Sequence, residues 1–158
     1  MEKLHCFEGG SVVQCLESRN KFDAIRELIH RAPIFSSEVN HEQIEKAAIR
    51  RERIYTTGLG RGVAVAHGKT HSVKKLYIVL GISERGIDFD SIDGKPVHLL
   101  FLIANPPEKN TEYLTALSTL ARVLRDEPFM SSILTQVDVR IIEQMINHAF
   151  SRFTERRN

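Results

Sequence analysis

Apolar positions along this chain follow two rhythms. KKLYIVLGI (74–82) and VHLLFLIA (97–104) are almost unbroken apolar runs, the pattern of strands covered on both faces. GVAVAHG (62–68) reads as a shorter strand ending at His67, and SVVQCLE (11–17) as a further candidate strand. Elsewhere the spacing is helical. In NKFDAIRELIHRA (20–32), Phe22, Ile25, Leu28 and Ile29 share one face, Asn20 suits an N-cap, and Pro33 helps stop the helix. A second helix should run from Asn40 or His41 to about Arg53. It has few apolar residues (Ile44, Ala47, Ala48, Ile49), so one of its faces should be solvated. Leu114, Leu117, Leu120, Ala121 and Leu124 form a stripe that Pro128 breaks. Ile141, Ile142, Met145, Ile146, Ala149, Phe150 and Phe153 keep the 3.6-residue period of a last helix.

Strands in the middle with helices on either side predict an α/β, single layered domain with a mixed central β-sheet flanked by helices on both faces. The sheet should be mixed because the connection from 82 to 97 has no helical pattern and carries the turn signal Asp93-Gly94. Pro106-Pro107 closes the second strand. With no repeat or linker, one domain is expected over 1–158, with a core of about 11–150 and a basic tail at 151–158.

Composition narrows the function. The 158 residues are 42% hydrophobic and 27% charged, with a net charge of +2. So even a balance argues against nucleic acid or an anionic membrane as the main partner. No apolar stretch approaches the roughly 18–20 residues that span a bilayer, so no membrane insertion is expected. MEKLHCFEGG lacks the apolar run of a signal peptide, and Cys6 and Cys15 make neither a disulfide framework nor a zinc site. These features suit a cytoplasmic protein with reduced thiols, and none implies a cofactor.

Residues 60–70, GRGVAVAHGKT, end as a nucleotide-binding P-loop ends. A P-loop needs four residues between its glycines and a helix after it. Here Gly62 and Gly68 enclose five, the enclosed Val-Ala-Val-Ala-His favours extended chain, and THSVKKLYIV leads into a strand. Gly58-Leu59-Gly60-Arg61-Gly62 likewise lacks the dinucleotide spacing; a glycine-rich connection with at least one positive φ is the simpler reading. Of seven histidines, His30, His41 and His148 should lie on the surface, and His98, inside an apolar strand, should be a hydrogen-bonded core residue. His67 and His71 have a metal-ligand spacing only on a helix, which Gly68 opposes, so no metal site is expected. His67 follows an apolar strand and precedes a glycine. Spacing alone leaves it either a nucleophile or a structural or exposed residue.

RERIYTTGLGRGVAVAHGKT (51–70) resembles the enzyme IIA domains of the fructose/mannitol type in the bacterial phosphotransferase system. Those domains carry an Arg-Glu pair, Thr-Gly-x-Gly-x-Gly, and an apolar strand ending in Pro-His-Gly. This chain has Arg51-Glu52, Thr57 to Gly62, and Val63 to Gly68. The resemblance continues through the strand at 75–82, Ile-Asp-Gly-Lys-Pro-Val (92–97), Ala104-Asn105-Pro106 and TEYLTALSTLARVL (111–124). It implies a phosphocarrier. His67 would take a phosphoryl group from the histidine-containing phosphocarrier protein and pass it to a cysteine of a IIB domain. In nitrogen-regulatory members, phosphorylation instead controls a target protein. Arg51 matches the active-site arginine, and Arg51, Thr57 and Gly68 would bind phosphate.

Two departures stand out. Ala66 replaces the proline before the active histidine, and Tyr113 stands where the family has a second active-site histidine. Tyr113 can donate a hydrogen bond to phosphate but cannot supply an imidazolium's charge. That favours slower transfer and a regulatory or divergent role over high-flux sugar uptake. The competing reading is a non-catalytic module on the same fold that binds partners without turnover.

Overall fold

In the computed structural model, residues 8–35 and 39–155 are described; His5, Cys6 and the end of the basic tail lie outside them. Among these residues, five strands form one sheet, ordered β1-β4-β5-β3-β2: β1 Val12–Val13, β2 Gly58–Gly60, β3 Val63–Lys69, β4 Tyr77–Ile87 and β5 Val97–Asn105. β1 runs parallel to β4 and β3 parallel to β5. The β4–β5 and β2–β3 pairs are antiparallel, so the sheet is mixed as expected.

Side-chain alternation along the strands divides the core into two layers. Ala64, Ala66, Leu100 and Leu102 face α1 (Lys21–Arg31) and α2 (His41–Ile54). Val63, Val65, Leu99, Phe101 and Ile103 face α3 (Asn110–Val123), α4 (Glu127–Thr135) and α5 (Val139–Glu155). α1 forms as its sequence directs. The Asn20 side chain accepts from Asp23 N, and Ala24, Ile25, Leu28 and Ile29 are buried, each large aliphatic stabilising the fold by about 1.5–3 kcal/mol. Asn40 caps α2 in the same way through Gln43 N. α5 turns Ile142, Ile146 and Phe150 into the core.

The structure corrects several expectations. The first strand is two residues long, because Cys15 adopts φ 57° and turns the chain away. The glycine-rich connection contains β2, followed by a turn in which Gly60, Arg61 and Gly62 all have positive φ (98°, 58° and 81°). Asp93 pins that turn by accepting from Arg61 N at 2.9 Å. β3 does not stop at His67 but runs on to Lys69. In α3 the buried face is Ala116, Thr119, Leu120 and Val123, whereas Leu114 and Ala121 are exposed. Pro128 does not end that helix. It sits in the first turn of α4, where its missing N–H costs nothing. His41 is half-buried and donates to Phe35 O at 2.6 Å rather than lying free on the surface. His98 is hydrogen-bonded as expected, its Nδ1 donating to Ser83 O at 2.8 Å, but it is half-buried rather than in the core.

One ionic device ties α1 to the loop before it. The Glu27 carboxylate, largely withdrawn from solvent, accepts from Glu17 N, Ser18 N and Ser18 Oγ, and pairs with Arg31. Burial alone would raise its pKa, but these bonds together hold it at about 2, against an ordinary 4.5. A depressed carboxylate stabilises the fold above pH 4.5, and that stabilisation is lost as pH falls toward 2. After solvent screening it is worth about 2 kcal/mol. Glu27→Gln should therefore lower stability at pH 7 by about that amount and leave it nearly unchanged near pH 2, read by urea unfolding at both pH values.

Candidate functional site

β3 carries His67 on the same face as Val63 and Val65, toward α3. In the parallel register His67 pairs with Ile103 of β5. Asn105, two residues on, therefore projects from that same face. Its Oδ1 lies 2.7 Å from His67 Nε2, and its Nδ2 donates to Pro106 O at 3.0 Å. After a single 3₁₀ turn, Pro107–Lys109, α3 begins and brings Tyr113 over the imidazole. The two rings stack with centroids 3.9 Å apart and planes 7° from parallel.

β2 pairs only with the beginning of β3. Past Val65, the outer side of β3 carries no strand among the described residues. α2 packs on the opposite face of β3 and holds Arg51 in its last turn. Arg51 Nη1 donates to Tyr55 O at 2.9 Å, and the guanidinium charge reaches both His67 and Tyr113. Burial lowers the His67 pKa below the ordinary 6.5. The Asn105 hydrogen bond opposes this, and the charges of Lys69 and Arg51 add to it. The ring is therefore neutral at pH 7 and keeps a lone pair for attack. Burial raises the Tyr113 pKa above 10, with Arg51 pulling the other way, so its hydroxyl stays protonated.

The remaining expected residues lie close in sequence but meet other partners. Thr57 is buried: its N–H and hydroxyl donate to Glu52 Oε1 (2.9 Å) and Oε2 (2.6 Å). Gly68 faces away from the imidazole. A Cβ there would stand 3.2 Å from Ile44 O and 3.4 Å from Ala48 N, so the missing side chain lets α2 lie against β3. His71 is exposed, 3.8 Å from Glu108. Among the described residues, no three His, Cys, Asp or Glu side chains are grouped to hold a metal ion, and no helix is long and apolar enough to cross a membrane. Asn105 was not singled out from the sequence as a site residue. Its one signal is polarity, a lone amide between an apolar strand and Pro106-Pro107.

Residues 6–149 match the family described as phosphoenolpyruvate-dependent sugar phosphotransferase system, EIIA 2. The chain belongs to this family. It is 31% identical over 136 residues to a nitrogen regulatory protein of Bradyrhizobium diazoefficiens, covering 86% of this chain and 88% of that protein. It is 33% identical over 132 residues to the fructose-specific EIIABC component of Bacillus subtilis, covering 84% of this chain but only 21% of that larger protein. Among solved structures, the nitrogen regulatory protein IIA-Ntr of Neisseria meningitidis superposes with a TM-score of 0.78 at 28% identity, covering 86% of this chain and 92% of that one. The complex of enzyme IIAMTL with phosphorylated enzyme IIBMTL from Escherichia coli shares the fold, with a TM-score of 0.72 at 20% identity and 91% and 96% coverage.

Proposed function

We propose that this chain is a cytoplasmic phosphocarrier phosphorylated on His67. The donor is the histidine-containing phosphocarrier protein; the recipient is a cysteine of a IIB domain or, in a regulatory role, the phosphorylated state governs a target protein. The observation that carries this reading is the neutral, half-buried His67, held between Asn105 and Tyr113 within reach of the Arg51 charge. The imidazole lone pair attacks phosphorus, and a new N–P bond forms as the donor's N–P bond breaks. The His67 ring gives up one proton and the donor ring takes one up, so charge balances. Little covalent work falls to the protein, whose task is positioning and neutralising the equatorial oxygens.

Arg51 exchanges its hydrogen bond to the Tyr55 carbonyl for phosphoryl oxygens, where its planar fork binds two at once. Tyr113 donates its hydroxyl to a third. In this reading Thr57 and Gly68 serve phosphate binding indirectly. Thr57 anchors Glu52, next to Arg51, and Gly68 sets how closely α2 approaches the strand that carries His67. Transport and regulation differ in the fate of the phosphoryl group. Mixing the phosphorylated protein with IIB domains should move the label onto a IIB cysteine. Retention of the label with every IIB domain offered removes the transport arm.

A further inference from the structure

Two restraints act on the His67 ring, and they do different things. Stacking on Tyr113, 7° from parallel, fixes the ring plane but permits a half-turn about the Cβ–Cγ bond. The half-turn would exchange Nε2 for a carbon. Asn105 forbids it, because only a ring nitrogen can use the oxygen 2.7 Å away. The Asn105 amide cannot turn over either. Its Nδ2 is committed to Pro106 O at 3.0 Å, and the residue is fully buried, so its oxygen must face the imidazole. An amide oxygen only accepts. The nitrogen facing it is therefore the protonated one.

We propose that Asn105 is a positioning residue that holds the unphosphorylated His67 in one ring orientation and one tautomer, with the proton on Nε2 and the lone pair on Nδ1. The consequence for phosphoryl transfer rests on the function proposed above. Attack from Nδ1 can begin with this bond intact, and the positive charge that develops on the ring strengthens it. Attack from Nε2 requires the proton to move to Nδ1 and Asn105 to let go. Either way Asn105 decides which nitrogen is poised. The groups that bear on the ring's titration are Lys69 on its own strand, Arg51 from α2 and the Tyr113 phenol stacked from α3; Asn105 contributes no charge.

Nitrogen-15 NMR of the imidazole in the full chain tests this without any phosphoryl donor. At a pH where His67 is neutral, Nε2 should show the shift of a protonated nitrogen and Nδ1 that of a bare one. Asn105→Leu should mix the two tautomers and lower the titration midpoint, since the bond it removes favours the charged ring. Asn105→Asp should keep the proton on Nε2 and raise the midpoint. A buried residue with only a packing role would leave the tautomer ratio unchanged in Asn105→Leu. Thermal unfolding confirms that each variant is folded, and the Asp variant keeps the test open if the Leu variant is not. A bare Nε2 in the wild-type protein, or midpoints that ignore residue 105, would overturn the proposal. If His67 proves unable to accept phosphate while the tautomer pattern holds, the proposed function fails and the positioning role stands.

Discussion

Arg51→Ala should slow phosphorylation of His67 by about a hundredfold, the usual loss when one group that neutralises charge at the reacting centre is removed. The arriving phosphoryl group carries its charge on three oxygens, and this guanidinium is the strong cation whose field reaches both His67 and Tyr113. The fold should survive, because Arg51 is half-exposed and, among the described residues, its side chain hydrogen-bonds to the Tyr55 carbonyl at its own helix end. The thermal midpoint should stay put while the rate falls. The His67 titration midpoint should rise, since the Arg51 charge helps depress it. Arg51→Lys should recover only part of the rate, because an ammonium is a point charge without the bidentate fork. Equal transfer rates in wild type and Arg51→Ala would remove Arg51 from the site.

Its neighbour in sequence carries the largest stability effect. Glu52 is 1% exposed, accepts from Thr57 N and Thr57 Oγ1, and lies 3.6 Å from the Lys21 ammonium. Three groups lose their partner together in Glu52→Ala: a buried amide, a buried hydroxyl and a lysine whose side chain is 15% exposed. The cost should be about 3–5 kcal/mol, the range for breaking a buried pair from one side. Glu52→Gln keeps the shape and one acceptor, so about 1–3 kcal/mol is expected. Denaturant midpoints should fall in that order with the slope unchanged. Phosphorylation should also slow in Glu52→Gln, because Glu52 tethers the turn just after Arg51. A Glu52→Ala protein as stable as wild type would show the carboxylate to be dispensable.

Where the chain spoke plainly, it did so through long periodic stretches and caps. Asn20 and Asn40 cap the helices they precede, and the apolar runs at 74–82 and 97–104 fall on the two long strands of the sheet, although the first of these begins only at Tyr77 and runs on to Ile87. Short elements were silent for physical reasons. β2 is built on glycines that carry no side-chain pattern, and its pairing is made by backbone alone. Cys15 bends the chain by adopting a left-handed conformation that nothing in its neighbours announces. In α3 the leucines suggested one face, but the buried face is Ala116, Thr119, Leu120 and Val123, and Leu114 is left 56% exposed beside the Tyr113 that stacks on His67.

The site divides along the same line. His67 could be picked out as a histidine at the end of a strand, and Arg51 and Tyr113 only through the family resemblance, because all three converge from different elements. Asn105 escaped notice because its role comes from register. Only the pairing of β3 with β5 sets it diagonally across from His67. Gly68 was expected among the phosphate-binding residues, and its open side faces α2.

Intact mass after incubation with enzyme I, the histidine-containing phosphocarrier protein and phosphoenolpyruvate tests the central claim most directly. The wild-type chain should gain one phosphoryl group, and a folded His67→Ala variant should gain none. No gain in the wild type with a cognate donor, or the same gain without His67, would contradict the account.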